Sequence, residues 1–299
     1  MTEALALFCS DLHLTSQVPS CREAFGWLGA QESMLQVLID TANKADVPLC
    51  IAGDIFHKPK EEPVVESLII RMLNKLKRGC YAIPGQHDLP GHSIKRIQES
   101  SYNVLVQTGL VTHCPQYEPL KQQQAVLHSI PYGAEIPFPE YVYNNLILMA
   151  HQMVYTVEPF PGAPESGNVS AIYKKLKHYR MAVFGDNHQG FIHTKKDKII
   201  LNCGVAIQRT RAEIDYIPHC YLLLSDFTIK KMALPTTTKF VKKVDSKTDE
   251  QFNVFISTLR EKQEVSLSFR ENLKKMLEQI QADQDLQDMV WNIMEECNE

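Results

Sequence analysis

Five times along this 299-residue chain a short apolar run of strand length stops at an aspartate, a histidine or a carboxamide. Ala4–Cys9 runs into Ser10-Asp11-Leu12-His13, Val47–Ala52 into Gly53-Asp54, and Cys80–Ile83 into Pro84-Gly85-Gln86-His87-Asp88. Leu146–Ala150 delivers His151, and Met181–Phe184 delivers Gly185-Asp186-Asn187-His188. Between the first three lie stretches with helical spacing. Leu35, Leu38, Ile39 and Ala42 mark one face of Gln31–Lys44, and Val65, Leu68, Ile69, Met72, Leu73 and Leu76 one face of Glu62–Lys77. This alternation predicts βαβ units with parallel strands, whose rim loops all open at one carboxyl edge of the sheet. Residues far apart in sequence can therefore meet there.

A single strand-end aspartate more often satisfies a turn or caps a helix, and a single histidine is usually a surface or core residue. Five coincident strand ends have no comparably simple structural explanation. The collected set is Asp11, His13, Asp54, Gln86, His87, His151, Asp186 and His188. Two divalent ions about 3.5–4 Å apart need this mixture of oxygen and imidazole donors, with one carboxylate shared. His113, His128, His178, His193 and His219 show no ligand pattern.

Elsewhere Ala125–Ile130 reads as a strand, Val157–Gly167 as a long loop of the kind that is often functional, and Val169–His178 as a short helix. Gly190–Thr194, Ile199–Cys203 and Ile214–Leu224 read as a run of antiparallel strands, with Lys195–Lys198 as a hairpin turn. The composition changes near Leu234-Pro235. From Asp249 the pattern is helical and free of Gly and Pro, so residues 1–234 are expected to form the main domain and 235–299 a helical appendage, a reduced cap or a partner-binding segment.

A net charge of −4 excludes a globally basic nucleic-acid binder but permits a local basic rim. No apolar run approaches the roughly 20 residues needed to cross a bilayer, and no membrane association is expected. The stretch before Asp11 has no basic n-region, and the eight cysteines are scattered without a CxxC pair, so a reducing, cytoplasmic setting is expected.

Asp11-Leu-His13, Gly53-Asp54, Gly85-Gln-His-Asp88, His151 and Gly185-Asp-Asn-His188 resemble, in the same order, the DxH, GD, GNH(D/E), H and GHxH motifs of the calcineurin-like metallophosphoesterases. Ser10-Asp-Leu-His-Leu14 and Gly53-Asp-Ile-Phe-His-Lys-Pro59 are most similar to the SbcD-like DNA nuclease subunits, and Asn202-Cys-Gly204 sits where that family has a glycine-containing turn. The resemblance implies an α/β four-layer sandwich, two central sheets flanked by helices, with the small helical appendage beyond it. It implies that Asp11, His13, Asp54 and His188 hold one ion and that Asp54 bridges to a second held by Gln86, His151 and Asp186. Gln86 stands where the family has Asn and Asp186 where it has the first His of GHxH. Both keep an oxygen donor and make the second position harder and more anionic, favouring Mn²⁺, with Mg²⁺ as the alternative. Three carboxylates against two divalent ions leave about one positive charge to attract a phosphodiester. A water between the ions is the implied nucleophile.

By the same resemblance His87 would protonate the leaving oxygen or stabilise charge on it, Asp88 would orient His87, and His57 would help place a nucleic-acid backbone. Arg209, Arg211 and Lys58 are candidate phosphate contacts. The implied activity is DNA exo- or endonuclease, with a homodimer and an SMC-like ATPase subunit as partners. Two other functions fit the motifs, a stand-alone phosphodiesterase or phosphatase on small esters and a non-catalytic DNA-end or ATPase-binding module.

Overall fold

The computed structural model describes residues 2–23, 26–141, 143–157, 165–236 and Gln287. Apart from Pro235, Thr236 and Gln287, the expected appendage 235–299, and most of the expected loop Val157–Gly167, lie outside the described residues. The described strands, in chain order, are β1 Ala4–Cys9, β2 Leu49–Ala52, β3 Cys80–Ile83, β4 Thr112–His113, β5 Glu118–Leu120, β6 Ala125–Ile130, β7 Leu146–His151, β8 Met181–Gly185, β9 Phe191–Lys195, β10 Lys198–Asn202, β11 His219–Leu224 and β12 Ile229–Ala233. The helices are α1 Trp27–Ala45, α2 Pro63–Leu73, α3 Ser101–Gln107 and α4 Val169–Lys175.

The strands form two mixed six-stranded sheets, ordered β12-β11-β1-β2-β3-β4 and β5-β6-β7-β8-β10-β9. β1, β2, β3 and β4 are parallel neighbours, as are β6, β7, β8 and β10. From Ala6 on, successive residues of β1 face opposite layers: Leu7 and Cys9 pack with α1 and α2, while Ala6 and Phe8 enter the core between the sheets. β2 divides likewise, Leu49 and Ile51 to one side and Cys50 and Ala52 to the other. Burial on both faces is why these strands read as continuous apolar runs. On the far side, Val169, Ile172 and Leu176 of α4 and its end cover Leu146, Leu148 and Phe184 of the second sheet. The result is the α/β sandwich that the motif resemblance implies, two central sheets with helices packed on their outer faces.

Local signals explain the helix limits. α1 is entered from Gly26, at φ 85, and left through Asp46, at φ 53, whose N–H bonds back to Ala42 and Asn43. α2 starts with Pro63, which supplies the helical φ where no N–H partner is needed, and stops at Leu73, short of the expected Lys77.

The expected antiparallel run holds only in part. β9 and β10 form the hairpin, turning at Lys196 with φ 56, but β10 lies parallel to β8. β11 begins at His219 and crosses to the first sheet, where it pairs antiparallel with β1. Residues 211–218 form a short 3-10 turn and a loop instead of strand. The seven described cysteines are all free thiols, six of them buried. Among the described residues no helix is long and apolar enough to cross a membrane.

Candidate metal centre

The carboxyl ends of β1 and β2 continue their pairing past the strands. Asp11 N–H donates to the Gly53 carbonyl at 3.1 Å, His13 N–H to the Asp54 carbonyl at 3.0 Å, and Leu14 N–H to that of Ile55 at 2.9 Å. Asp11, His13, Asp54 and Asp186 all hold positive φ, at 51, 44, 51 and 86°. Each such conformation costs on the order of 1–3 kcal/mol for a non-glycine residue and persists only where the surroundings enforce it. Here it turns the side chains out of the strand alternation and into one pocket.

Glycines make the room. A Cβ on Gly53 or Gly185 would collide with the His151 ring, and one on Gly85 with the Asp54 carboxylate. Gly53, at φ 94, also needs the left-handed region.

Within the pocket His13 Nε2 and His188 Nε2 approach to 3.2 Å. Asp54 is fully buried. Its Oδ1 accepts the His87 N–H at 3.0 Å, and its Oδ2 lies 3.3 Å from His151 Nε2 and 3.7 Å from His13 Nε2 without making a hydrogen bond. His151 donates from Nδ1 to the Ala52 carbonyl at 2.6 Å, which leaves the Nε2 lone pair facing the pocket. Gln86 donates from Nε2 to Asp186 Oδ1 at 2.7 Å, and its buried Oε1 has no partner.

These orphaned acceptors, Asp54 Oδ2, His151 Nε2 and Gln86 Oε1, are what a pair of hard-to-borderline cations would satisfy, so the donor set fits them. Two ligand groups are already assembled, Asp11–His13–His188 and Asp11–Asp54–His151. The carboxylate of Asp11 thus stands within reach of both positions, beside the expected bridge Asp54. Asp186 belongs to neither group; it is tied in through Gln86 and through its own N–H, which donates to the Asp11 carboxylate at 3.2 Å.

Electrostatics follow from this crowding. Burial pushes Asp11 up to about 6, against the pull of His151 and His188. Burial also opposes charge on Asp54, yet His151 and His87 beside it hold its carboxyl below the usual range. Burial and then the neighbouring His188, Arg209, His87 and His57 keep His13 far below an ordinary histidine, in the neutral form that ligates.

His57, His87 and Arg209 line one side. The two imidazole rings pack at 5.4 Å from each other, and His13 lies 4.8 Å from His87 and 5.7 Å from His57. Arg209 Nη1 donates to His57 Nδ1 at 2.5 Å, and His87 Nδ1 donates to the His57 carbonyl at 2.9 Å. Burial, Arg209, His87 and Lys58 drive the His57 pKa down to about 3. His13, His57 and His87 are close enough to share an ion, but a guanidinium against the trio repels a cation and suits an anion.

Asp88 is not placed to orient His87. Its buried carboxylate accepts N–H groups from Gly85 at 2.9 Å, Ile55 at 3.2 Å and Phe56 at 2.9 Å, clamping the Gly53–His57 loop to the loop after β3. Lys58 and Arg211 are exposed, whereas Arg209 is half-buried against His57. His113 and His128 serve packing, bonded to the hydroxyls of Tyr102 and Tyr179.

One residue that the motifs did not single out completes the site. Glu213, 3% exposed, accepts His188 Nδ1–H on Oε1 at 2.7 Å, and the N–H groups of Arg209 and Thr210 on Oε2 at 2.6 and 3.0 Å. It fixes the tautomer that turns His188 Nε2 to the pocket. The available signal was Thr210-Arg-Ala-Glu213, a capping box. Glu213→Gln cannot accept at all three donors, and we expect affinity for one of two metal ions to fall about 10–100-fold. Calorimetric titration with Mn²⁺ checks this, with the second ion's affinity as the internal control.

Residues 5–190 match the family model for calcineurin-like phosphoesterases. Among curated proteins none matches the sequence. Similar solved structures include a novel archaeal phosphodiesterase, at 12% identity and TM-score 0.42, covering 78% of this chain and 100% of that one. TT1561 of Thermus thermophilus is 13% identical at TM-score 0.48, with the same coverage of 78% and 100%. The phosphopantetheinyl hydrolase PptH from Mycobacterium tuberculosis is 14% identical at TM-score 0.47, covering 77% and 96%.

Proposed function

The chain belongs to the calcineurin-like phosphoesterase family, a family of metal-dependent phosphoester hydrolases, and from that premise we propose that it is a two-metal phosphodiesterase whose substrate is DNA. The observation that carries the diester reading is the His57–His87–Arg209 side of the pocket. A diester carries one negative charge and leaves as a poorly stabilised alkoxide, so its cleavage gains from a proton donor beside a fixed cation. His87 supplies the donor, held by its Nδ1–H bond to the His57 carbonyl. Arg209 supplies the cation, and burial together with Arg209 keeps His57 neutral, with its proton on Nε2 because Nδ1 accepts from the guanidinium. The DNA reading rests on His57 within the SbcD-like stretch Gly53–Pro59, and the same resemblance supports a second copy of the chain and an SMC-like ATPase as partners. Buried free thiols support a reducing, cytoplasmic setting.

When bound, two divalent ions would lower the pKa of water and neutralise phosphoryl charge. Asp11, His13, Asp54 and His188 would hold one, and Asp54, Gln86, His151 and Asp186 the other, whose oxygen-rich donors favour Mn²⁺ or Mg²⁺. Asp54, through its bond from the His87 N–H, also fixes where His87 stands relative to the reacting phosphate.

Purified protein with Mn²⁺ should cleave labelled single- or double-stranded DNA. Intact DNA alongside rapid hydrolysis of bis(p-nitrophenyl) phosphate would make it a small-diester esterase. No hydrolysis of either, with fewer than two ions bound per chain, would make it a binding module.

A further inference from the structure

Tyr132 borders the metal pocket and has no part in holding it. β6 runs parallel to β7 and β8, so its carboxyl end opens on the same edge, and the loop that leaves it carries Tyr132 there. Tyr132 N–H donates to the Pro84 carbonyl at 3.1 Å, which ties this loop to the one bearing Gln86 and His87. Its ring stands edge-on to His151, with centroids 6.3 Å apart, and edge-on to His92 at 6.4 Å.

A tyrosine in a protein of this size normally earns its place in a core or through its hydroxyl. Tyr132 does neither: it is half-buried, it joins none of the described hydrophobic clusters, and its hydroxyl has no hydrogen-bond partner among the described residues. Burial and the nearby Asp186 and Asp54 carboxylates hold the phenol above the usual tyrosine range, so it stays neutral. A neutral ring at the rim, braced by a second ring from another strand-end loop, offers its face to a flat group.

We propose that Tyr132 is a substrate-positioning residue, a platform on which a nucleobase or aryl group of the bound diester stacks, with His92 bracing it. The proposal rests on the phosphodiesterase reading but not on DNA as the substrate, because stacking on an aromatic face is tolerant of the ring's identity.

The test is steady-state hydrolysis of bis(p-nitrophenyl) phosphate by the full chain, comparing wild type, Tyr132→Phe and Tyr132→Ala, with metal stoichiometry measured on each. Loss of the ring should raise KM about tenfold. The value of kcat should stay within about threefold, since binding and not the chemical step is altered. Tyr132→Phe should behave as wild type, and both variants should bind as many ions as wild type. An unchanged KM in Tyr132→Ala overturns the proposal, as does a Tyr132→Phe defect equal to that of Tyr132→Ala, which would assign the effect to the hydroxyl. Loss of metal in Tyr132→Ala would make the role structural. A wild type that hydrolyses this ester and leaves DNA intact defeats only the DNA reading, whereas one inactive on both defeats the platform too.

Discussion

Asp54→Asn should abolish turnover while leaving the fold intact. The wild-type Oδ1 holds the His87 N–H, and Oδ2 stands unpaired between His13 Nε2 and His151 Nε2. An asparagine that keeps its oxygen on the His87 N–H must turn its NH₂ toward the pocket, presenting a donor where cations are to be held. Several kcal/mol of charge stabilisation then disappear, so kcat/KM should fall roughly a thousandfold or more at about 1.4 kcal/mol per tenfold. Metal stoichiometry, by elemental analysis, should drop below two per chain. Stability of the metal-free protein should fall as well. Against the opposing effect of burial, His151 and His87 hold the Asp54 carboxyl below its usual range, so its ionised form contributes stability at neutral pH that an asparagine lacks. The metal-free Asp54→Asn protein should therefore melt below wild type, and only wild type should gain stability as Mn²⁺ is added. A variant that still binds two ions and turns over normally would remove Asp54 from the centre of the site. Asp54→Ala should match it in activity but also strand the buried His87 N–H, a penalty of about 1–3 kcal/mol.

The sequence was informative where burial and chemistry coincide. β1, β3 and β6 fall on the expected residues because each is buried on both faces and bounded by polar loops. β4, β5 and β12 were not legible. β4 has two residues, β5 is the edge triplet Glu118-Pro119-Leu120, and β12, Ile229–Ala233, is largely solvent-facing. None carries an apolar run, and proline is tolerated only because β5 lies at an edge. The crossing of β11 to the first sheet could not be read from local pattern, since an apolar strand looks the same in either sheet. In the site, the residues that point at the pocket announce themselves by type and strand-end position. Those that act through them do not. Glu213 works by a hydrogen bond to a histidine 25 positions earlier, and Tyr132 is one tyrosine after one strand until its neighbours are known. Asp88 shows the converse, since a motif position identified the residue but not its job as a clamp on three backbone amides.

His87→Ala should separate proton donation from metal binding. The backbone N–H that Asp54 Oδ1 accepts survives the change, and no ligand atom is removed, so both ions should remain bound. What is lost is the imidazole beside His57 and His13, and general-acid assistance of this kind contributes about 10²–10⁴ in rate. The loss should depend on the leaving group. Cleavage of DNA expels an alkoxide that needs the proton, so kcat should fall by about that factor. Cleavage of bis(p-nitrophenyl) phosphate expels a phenolate that leaves unaided, so the same variant should lose much less. Measuring both substrates on one preparation gives the answer as a ratio, insensitive to the active fraction. Equal losses on the two would assign His87 to stabilising phosphoryl charge, as Arg209 can, instead of donating a proton. Unchanged turnover on both would take His87 out of the chemistry and leave the His57–Arg209 pair to account for that side of the pocket.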